Sequence, residues 1–255
     1  MDFQSVDCNL RHCFAVLAGQ RASGRIHAEA GVQLGSLGVG FHLFNAAFLD
    51  GPVEDEADLE KRIEFAAQQI GSGRLKWSFW LCESWLPPAV RRRAEKVFRR
   101  NGLSPVSEMP GMVAEGLNPI RRALPAVEIR SVSDDRTRAA FCEIGSTCFN
   151  VPISWFSEVF DPDMNLRPGF VAYVGYVEGR PVTTAATVVS GDIAGIYNVG
   201  TLPGLRRRGY AEALVRFAIA QTGCHRSILQ ASLHGLPMYE RMGYRAVCNF
   251  RVFTS

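Results

Sequence analysis

The chain has 255 residues, 47% of them hydrophobic and 21% charged, with a net charge of +3. That length carries one large domain or two small ones with a sizeable core, and the composition excludes a disordered chain. So small a positive balance makes no case for nucleic acid, and no uncharged apolar run reaches the roughly 18 residues of a transmembrane helix.

The start, Met1-Asp2-Phe3-Gln4, lacks the basic and then apolar order of a secretory leader. The seven cysteines are odd in number and form no Cys-x-x-Cys pair, which fits reduced thiols in a cytoplasmic protein and no metal site. His12, His27, His42 and His225 show no metal spacing either, and no Gly-x-Ser-x-Gly elbow supports a hydrolase. Gly35-Ser-Leu-Gly38-Val-Gly40 is glycine-rich, but a strand-like stretch follows it rather than an amphipathic helix, so it does not read as a phosphate loop. Phe44 to Asp50 reads as a strand, Glu56 to Ile70 as a helix and Trp77 to Leu81 as a second strand. Pro87-Pro88 opens another helix, which Asn101-Gly102 closes. Gly116 to Pro125 holds two prolines, a glycine and no periodicity. It predicts a linker with a boundary near residue 122, separating a smaller α/β domain, residues 1–122, from residues 123–255.

Beyond it, Val127 to Arg130 is a short strand, and Asp134 or Asp135 caps a helix running to Phe149. Cys142 and Cys148, six apart on that helix, read as core residues. Pro152 stands near the start of a second helix, Ile153 to Phe160. Phe170 to Val177 and Pro181 to Val189 form a hairpin about Glu178-Gly179. Gly191-Asp192 turns into the strand Ile193 to Thr201. Arg208 to Gln221 is a helix with Leu214, Phe217, Ala218 and Gln221 on one face. Ser227 to Ala231 is a strand, Leu236 to Met242 a short helix ended by Gly243, and Ala246 to Phe253 a last strand closing the sheet. Phe98-Arg-Arg-Asn-Gly102 matches Tyr239-Glu-Arg-Met-Gly243 in spacing, a faint internal repeat offset by 141 residues.

The chemistry concentrates in Tyr197-Asn-Val-Gly-Thr-Leu-Pro-Gly-Leu-Arg206-Arg207-Arg208-Gly209-Tyr210-Ala211-Glu212. A strand ends, a loop with glycines and three arginines follows, and a helix begins. The first N–H groups of a helix lack intrahelical partners, and the helix dipole adds positive charge there. The arrangement suits a pyrophosphate, with Gly209 allowing close approach, Ala211 adding no bulk, and Arg207 and Arg208 adding charge. Neither a Walker loop nor Gly-x-Gly-x-x-Gly is present.

Arg206-x-x-Gly209-x-Ala211, between a strand and an amphipathic helix, resembles the acyl-CoA motif of the GNAT superfamily of N-acetyltransferases, Q/R-x-x-G-x-G/A. Leu229 to Tyr244, a strand leading to a helix with a tyrosine and then a Gly-Tyr corner, resembles that family's second block. The resemblance covers Val127 to Phe253. It implies an α/β fold with a mixed, mostly antiparallel sheet flanked by helices, and the faint repeat makes the N-terminal half a degenerate GNAT-like domain. The resemblance further implies acyl transfer, acetyl first, from acyl-CoA to an amine of a small molecule or protein, by direct attack in a ternary complex. A CoA-binding module without turnover, serving as sensor or structural partner, is the alternative. Backbone groups of Val199, Gly200 and Thr201 would pair with the pantetheine amides, and N–H groups from Arg207 to Glu212 would hold the pyrophosphate. Ser232 stands where the family often has Asn, and Thr201 where it has an aliphatic residue. Tyr239 takes the place of the tyrosine near the sulfur, as proton donor to the leaving thiolate. For the base, Asp192 or His234 acting through water are the candidates. No metal, nucleic-acid or membrane partner is implied, and a monomer or homodimer fits equally.

Overall fold

A computed structural model describes residues 1–71, 75–161 and 169–255. In chain order the elements are α1 (Asp2–Ala18), β1 (Arg25–Glu29), β2 (Val32–Ser36), β3 (Asn45–Leu49), α2 (Glu56–Gly71), β4 (Ser78–Cys82), α3 (Pro88–Arg100) and β5 (Ser104–Glu115). There follow β6 (Glu128–Ser131), α4 (Asp135–Phe149), α5 (Ile153–Val159), β7 (Phe170–Val177), β8 (Arg180–Ser190), β9 (Ile193–Thr201), α6 (Tyr210–Thr222), β10 (Arg226–Gln230), α7 (Leu236–Met242) and β11 (Arg245–Thr254). The result is a mixed α/β fold whose described strand pairings are mostly antiparallel, with β3–β4 and β9–β10 parallel.

The chain forms two compact units, and it crosses between them more than once. One comprises residues 1–111, 230–233 and 246–255; the other comprises residues 112–229 and 234–245. In the first, the strand order is β1-β2-β3-β4-β11-β5, and its core gathers Leu49, Leu59, Ile63, Phe79, Leu81, Phe98 and Phe253. The last strand, expected to close the sheet of the second half, instead pairs antiparallel with β4, Phe250 opposite Cys82. The reason is apolar: Phe253 is fully buried and its ring stacks on Phe98 at 4.0 Å and 7°. Arg251 adds an ion pair to Glu95 on α3.

The second unit runs β5-β10-β9-β8-β7-β6, β5 contributing its end from Met112 to Glu115. Its α4 starts where the sequence places it: Asp134 is the N-cap and accepts the Thr137 N–H at 2.7 Å. Glu178 and Gly179 take φ of +50° and +73°, which joins β7 to β8 by a two-residue turn of the kind that suits strand twist.

Gly116 to Pro125, expected as a linker, is pinned within this unit. The Gly116 N–H donates to the His225 carbonyl at 2.9 Å and the Asn118 N–H to that of Met242 at 2.8 Å. The Asn118 carbonyl in turn accepts from Arg216 at 2.9 Å. A proline-bearing stretch without periodicity is also what an extended, docked segment looks like, so composition does not separate the two.

The repeat has a structural counterpart. Phe98 to Gly102 and Tyr239 to Gly243 each end a helix, α3 and α7, with a left-handed glycine at φ +75° and +105°. Each helix follows a strand paired in parallel with the strand one helix earlier, β4 with β3 and β10 with β9.

Candidate active site

β9 and β10 run parallel from Ile193↔Arg226 to Ile196↔Leu229, and the ladder stops there. Among the described residues, β9 continues beyond Ile196 paired to β8, with no further β10 partner in the ladder. A parallel pair that parts midway leaves a strand edge open to an extended ligand.

β8 holds this half of β9 tightly. The register passes from Ala186↔Tyr197 to Thr184↔Gly200, so β9 carries one extra residue, and Asn198 takes φ +50°. Such a bulge re-aims backbone groups, and asparagine tolerates the left-handed region better than most residues. Two neighbouring threonines lock it. The Thr184 hydroxyl donates to the Asn198 carbonyl at 2.9 Å, and the Thr183 hydroxyl to that of Gly200 at 2.7 Å. Thr201 joins them, its hydroxyl 2.9 Å from that of Thr183, which gives a polar residue at that position a reason. The sequence reading overlooked Thr183, Thr184 and Asn198; two threonines in succession, opposite an Asn-Val-Gly stretch, are the signal it carried.

After β9 the chain makes a short turn and enters α6. Arg206 folds back, its Nε donating to the Thr201 carbonyl at 3.0 Å, and so ties the loop to the strand end. Arg207 has φ +63° and Gly209 φ +92°, an alternation that turns successive N–H groups to one side. Among the described residues, the first N–H of α6 with a backbone partner is that of Ala213, which donates to the Gly209 carbonyl at 3.0 Å. Arg207 and Arg208 are exposed beside these N–H groups, and Ala211 is half-buried. The carboxylate of Glu212 turns away, paired with Arg216 at 3.0 Å. Gly209 answers a further demand of the fold itself. Its φ favours glycine, and a Cβ there would stand 3.0 Å from Pro125 Cδ, so the segment before β6 needs the glycine too.

Tyr239 lies in the first half of α7's last turn and is buried, its ring edge-on to Tyr244 with centroids 5.6 Å apart. Burial, with Tyr244 adding to it, pushes its phenol above the ordinary tyrosine value, so it keeps its proton across the physiological range. The Tyr244 hydroxyl is engaged with Ser227 at 2.7 Å. Ser232 is exposed in the short segment that clusters with the first unit. Of the two base candidates, His234 is exposed just before α7. Asp192 lies beside Ile193, at the end where β9 and β10 are still paired. At ~3.3 Å per residue it is about 16 Å along the strand from Tyr197, where the pair has opened, so it is poorly placed to serve an acceptor there.

The Gly35–Gly40 stretch is explained without a ligand. Asn45 Oδ1 accepts from the N–H groups of Gly38 at 3.0 Å and Val39 at 3.3 Å, so the loop spends its donors on the protein itself. Among the described residues, no cluster of three or more His, Cys, Asp or Glu side chains is placed to hold a metal. No described helix is long and apolar enough to cross a membrane.

An opened parallel strand pair thus leads into a helix start whose first described N–H groups have no backbone partner, within a region similar to a known domain. Residues 168–246 match the family model for the acetyltransferase (GNAT) domain. A GCN5-related N-acetyltransferase from Kribbella flavida shares the fold at TM-score 0.70 and 18% identity, over 98% of this chain and 95% of that one. A functionally unknown conserved protein from Staphylococcus epidermidis does so at TM-score 0.68 and 15% identity, over 93% and 96%. A GCN5-related N-acetyltransferase from Sphaerobacter thermophilus follows at TM-score 0.55 and 15% identity, over 88% and 76%. No curated protein matches the sequence. Residues 168–246 are thus similar to a GNAT acetyltransferase domain, and the chain shares its fold with GCN5-related N-acetyltransferases.

Proposed function

We propose that the protein transfers an acyl group, acetyl first, from acyl-CoA to an amine, with both substrates bound together. The observation that carries this is the parting of β9 from β10 immediately before a loop whose N–H groups are unspent. The open edge of Val199, Gly200 and Thr201 fits the pantetheine amides as an added strand would. The N–H groups from Arg207 to Glu212, with the guanidinium groups of Arg207 and Arg208, fit the pyrophosphate.

Bound acyl-CoA supplies an activated thioester carbonyl. The protein's part is positioning and proton management. Thr183 and Thr184 hold the bulged strand so that its outward backbone groups are fixed before the ligand arrives, which lowers the ordering cost of binding. Tyr239 Oη, kept protonated by burial, holds the proton that the departing sulfur takes up. His234, exposed and close in sequence to Tyr239, is the remaining candidate to take the amine's proton through water; Asp192 is set aside on position.

The test is CoA thiol release from acetyl-CoA with a panel of amines, together with calorimetry of acetyl-CoA alone. Turnover with any amine supports transfer. Tight acetyl-CoA binding with no amine consumed would leave a CoA-binding module in its place, and no binding at all would overturn the site.

A further inference from the structure

β1 is an edge strand of the first unit's sheet, paired on one side to β2. All 5 of its residues are exposed, Ile26 to 50%. A free edge offers unpaired N–H and C=O groups to a second strand, and charged side chains commonly blunt it. β1 carries charge, but in an order that decides which strand it admits.

The turn after β1 sets which backbone groups are free. Ala30 and Gly31 take φ of +51° and +72°, the two positive angles of a type I′ turn, and join Glu29 to Val32. Such a turn directs the Glu29 carbonyl to the Val32 N–H. Backbone direction alternates along an antiparallel ladder, so Arg25, His27 and Glu29 turn their N–H and C=O groups to β2. Ile26 and Ala28 turn theirs to the open side.

Side chains alternate as well. Arg25, His27 and Glu29 share one face, where the His27 ring stacks on Phe65 of α2 with centroids 6.0 Å apart. Ile26 and Ala28 share the other, with Ile26 Cδ1 3.1 Å from where a Cβ on Gly19 would stand. Among the described residues Arg25 has no ionic partner, while the Glu29 carboxylate meets the His27 ring at 2.9 Å.

Arg25-Ile-His-Ala-Glu29 is complementary to itself when reversed. Antiparallel pairing centred on His27 sets Ile26 opposite Ala28, the residues whose backbone groups are free, so each such pair exchanges both its hydrogen bonds. The same register sets Arg25 opposite Glu29 on both sides of the axis, in the non-hydrogen-bonded positions where facing side chains are closest. The two Ile26 side chains become diagonal neighbours and cover each other's exposed surface. Sliding one strand by a side-chain period in either direction keeps the backbone groups in phase but separates both Arg–Glu pairs.

β6, the edge strand of the second unit, is not equivalent. Arg130 bonds Glu128 on its own strand at 2.7 Å, and its guanidinium covers the Tyr176 ring at 4.5 Å. Contact between β1 and β6 would also join two different surfaces, which builds rings or open filaments, whereas β1 against β1 closes at two copies.

We infer that two copies of the chain pair through β1 in this register, antiparallel about a two-fold axis at His27. Short edge strands bury less than about 1,200 Å2, the low end for specific contacts, so the dimer exchanges with monomer.

Sedimentation velocity of the full chain from about 5 to about 500 μM should show a single monomer–dimer exchange. Arg25→Glu and Glu29→Arg should each weaken it at least about tenfold, because each sets like charges opposite one another across the axis. Mixed in equal amounts, the two variants should recover wild-type association within a few-fold, since every facing pair is then opposite in charge. A fold damaged by either change would not recover on mixing. Ala28→Pro removes an outward N–H and leaves the β2 ladder intact, so it should stay at monomer mass with Tm close to wild type. Monomer mass for wild type at every concentration overturns the inference, as do species larger than a dimer. A wild-type dimer that Arg25→Glu and Ala28→Pro leave unchanged lies on another surface and overturns it too. So does a mixture of the two charge variants that stays monomeric.

Discussion

At Ala211 the demands of fold and ligand oppose each other, which makes it a clean probe. A carboxylate in the first turn of α6 is favoured by the helix dipole, yet it would face the proposed pyrophosphate. Ala211→Glu should therefore keep or slightly raise Tm while weakening acetyl-CoA at least about tenfold by calorimetry. Gly209 gives no such separation, since any side chain there meets both its φ of +92° and Pro125. Tyr239→Phe keeps the ring against Tyr244 and deletes the proposed proton donor. Its kcat should fall about 100-fold or more, with Kd for acetyl-CoA within a few-fold of wild type, under conditions where chemistry limits turnover. Wild-type kcat in that variant would leave Tyr239 a packing residue. Asp7 supplies a pH test outside the site. Burial raises its carboxyl from 3.8 to about 6, outweighing the opposing pull of Arg11 and the Trp85 hydrogen bond. The folded state thus favours the protonated form, so this contribution is complete below pH 3.8 and is lost as pH rises through about 6. Between about pH 4.5 and about pH 7, wild type should lose on the order of 1 kcal/mol more stability than Asp7→Asn, by urea unfolding at each pH.

Among the elements, β11 most rewards scrutiny, because it leaves the half of the chain in which the sequence puts it. Phe253 is its anchor, fully buried and stacked on Phe98. Phe253→Ala should cost about 3–5 kcal/mol, read from denaturant midpoints, through lost burial and the cavity beside Phe98. Local signals did locate the strand itself, as they located α4 from Asp134, the β7–β8 turn from Glu178-Gly179, and α7 from Gly243. Each of these is fixed by a residue with a conformational or capping preference that acts over a few positions. What escaped is set by distant partners. Strand pairing is not written in a strand's own period, so β11 could be found but not its neighbour β4. The 17-residue α1 was missed because Asp7, Asn9 and Arg11, all polar, are buried on it. Arg11 pairs with Asp7 at 3.0 Å and bonds Gln33 at 2.6 Å, so the helix's polar stripe faces inward and blurs its apolar one. β5 was missed because Pro105, Pro110 and Gly111 read as breakers. Around the candidate site, the loop before α6 and the place of Tyr239 on α7 were legible from residue types at fixed spacing. The bulge at Asn198, the threonine locks and the return of Arg206 to the Thr201 carbonyl depend on β8 lying beside β9, which no local pattern states.

For the molecule as a whole, the path of the chain decides what can fold alone. The first compact unit is completed only by residues 230–233 and 246–255, far along the chain from residue 111. The second takes its first strand residues from the end of β5, before the composition break near residue 122. A fragment of residues 123–255 therefore lacks Met112 to Glu115 beside β10, and loses the Gly116 and Asn118 hydrogen bonds to His225 and Met242. It also carries β11 without β4, leaving an exposed strand with Phe250, Val252 and Phe253 unburied. Burying a phenylalanine is worth about 1.5–3 kcal/mol, and an unpaired apolar edge invites association, so both losses act against a soluble fold. Residues 123–255 expressed alone should aggregate or melt without a cooperative transition in calorimetry, and a fragment of residues 1–122 should behave likewise. Co-expressed, the two should recover a single complex, because the bonds between strands do not require the intervening peptide bond. A fragment of residues 123–255 that melts cooperatively and binds acetyl-CoA with wild-type Kd would restore the division at residue 122 and make the exchange of β11 dispensable.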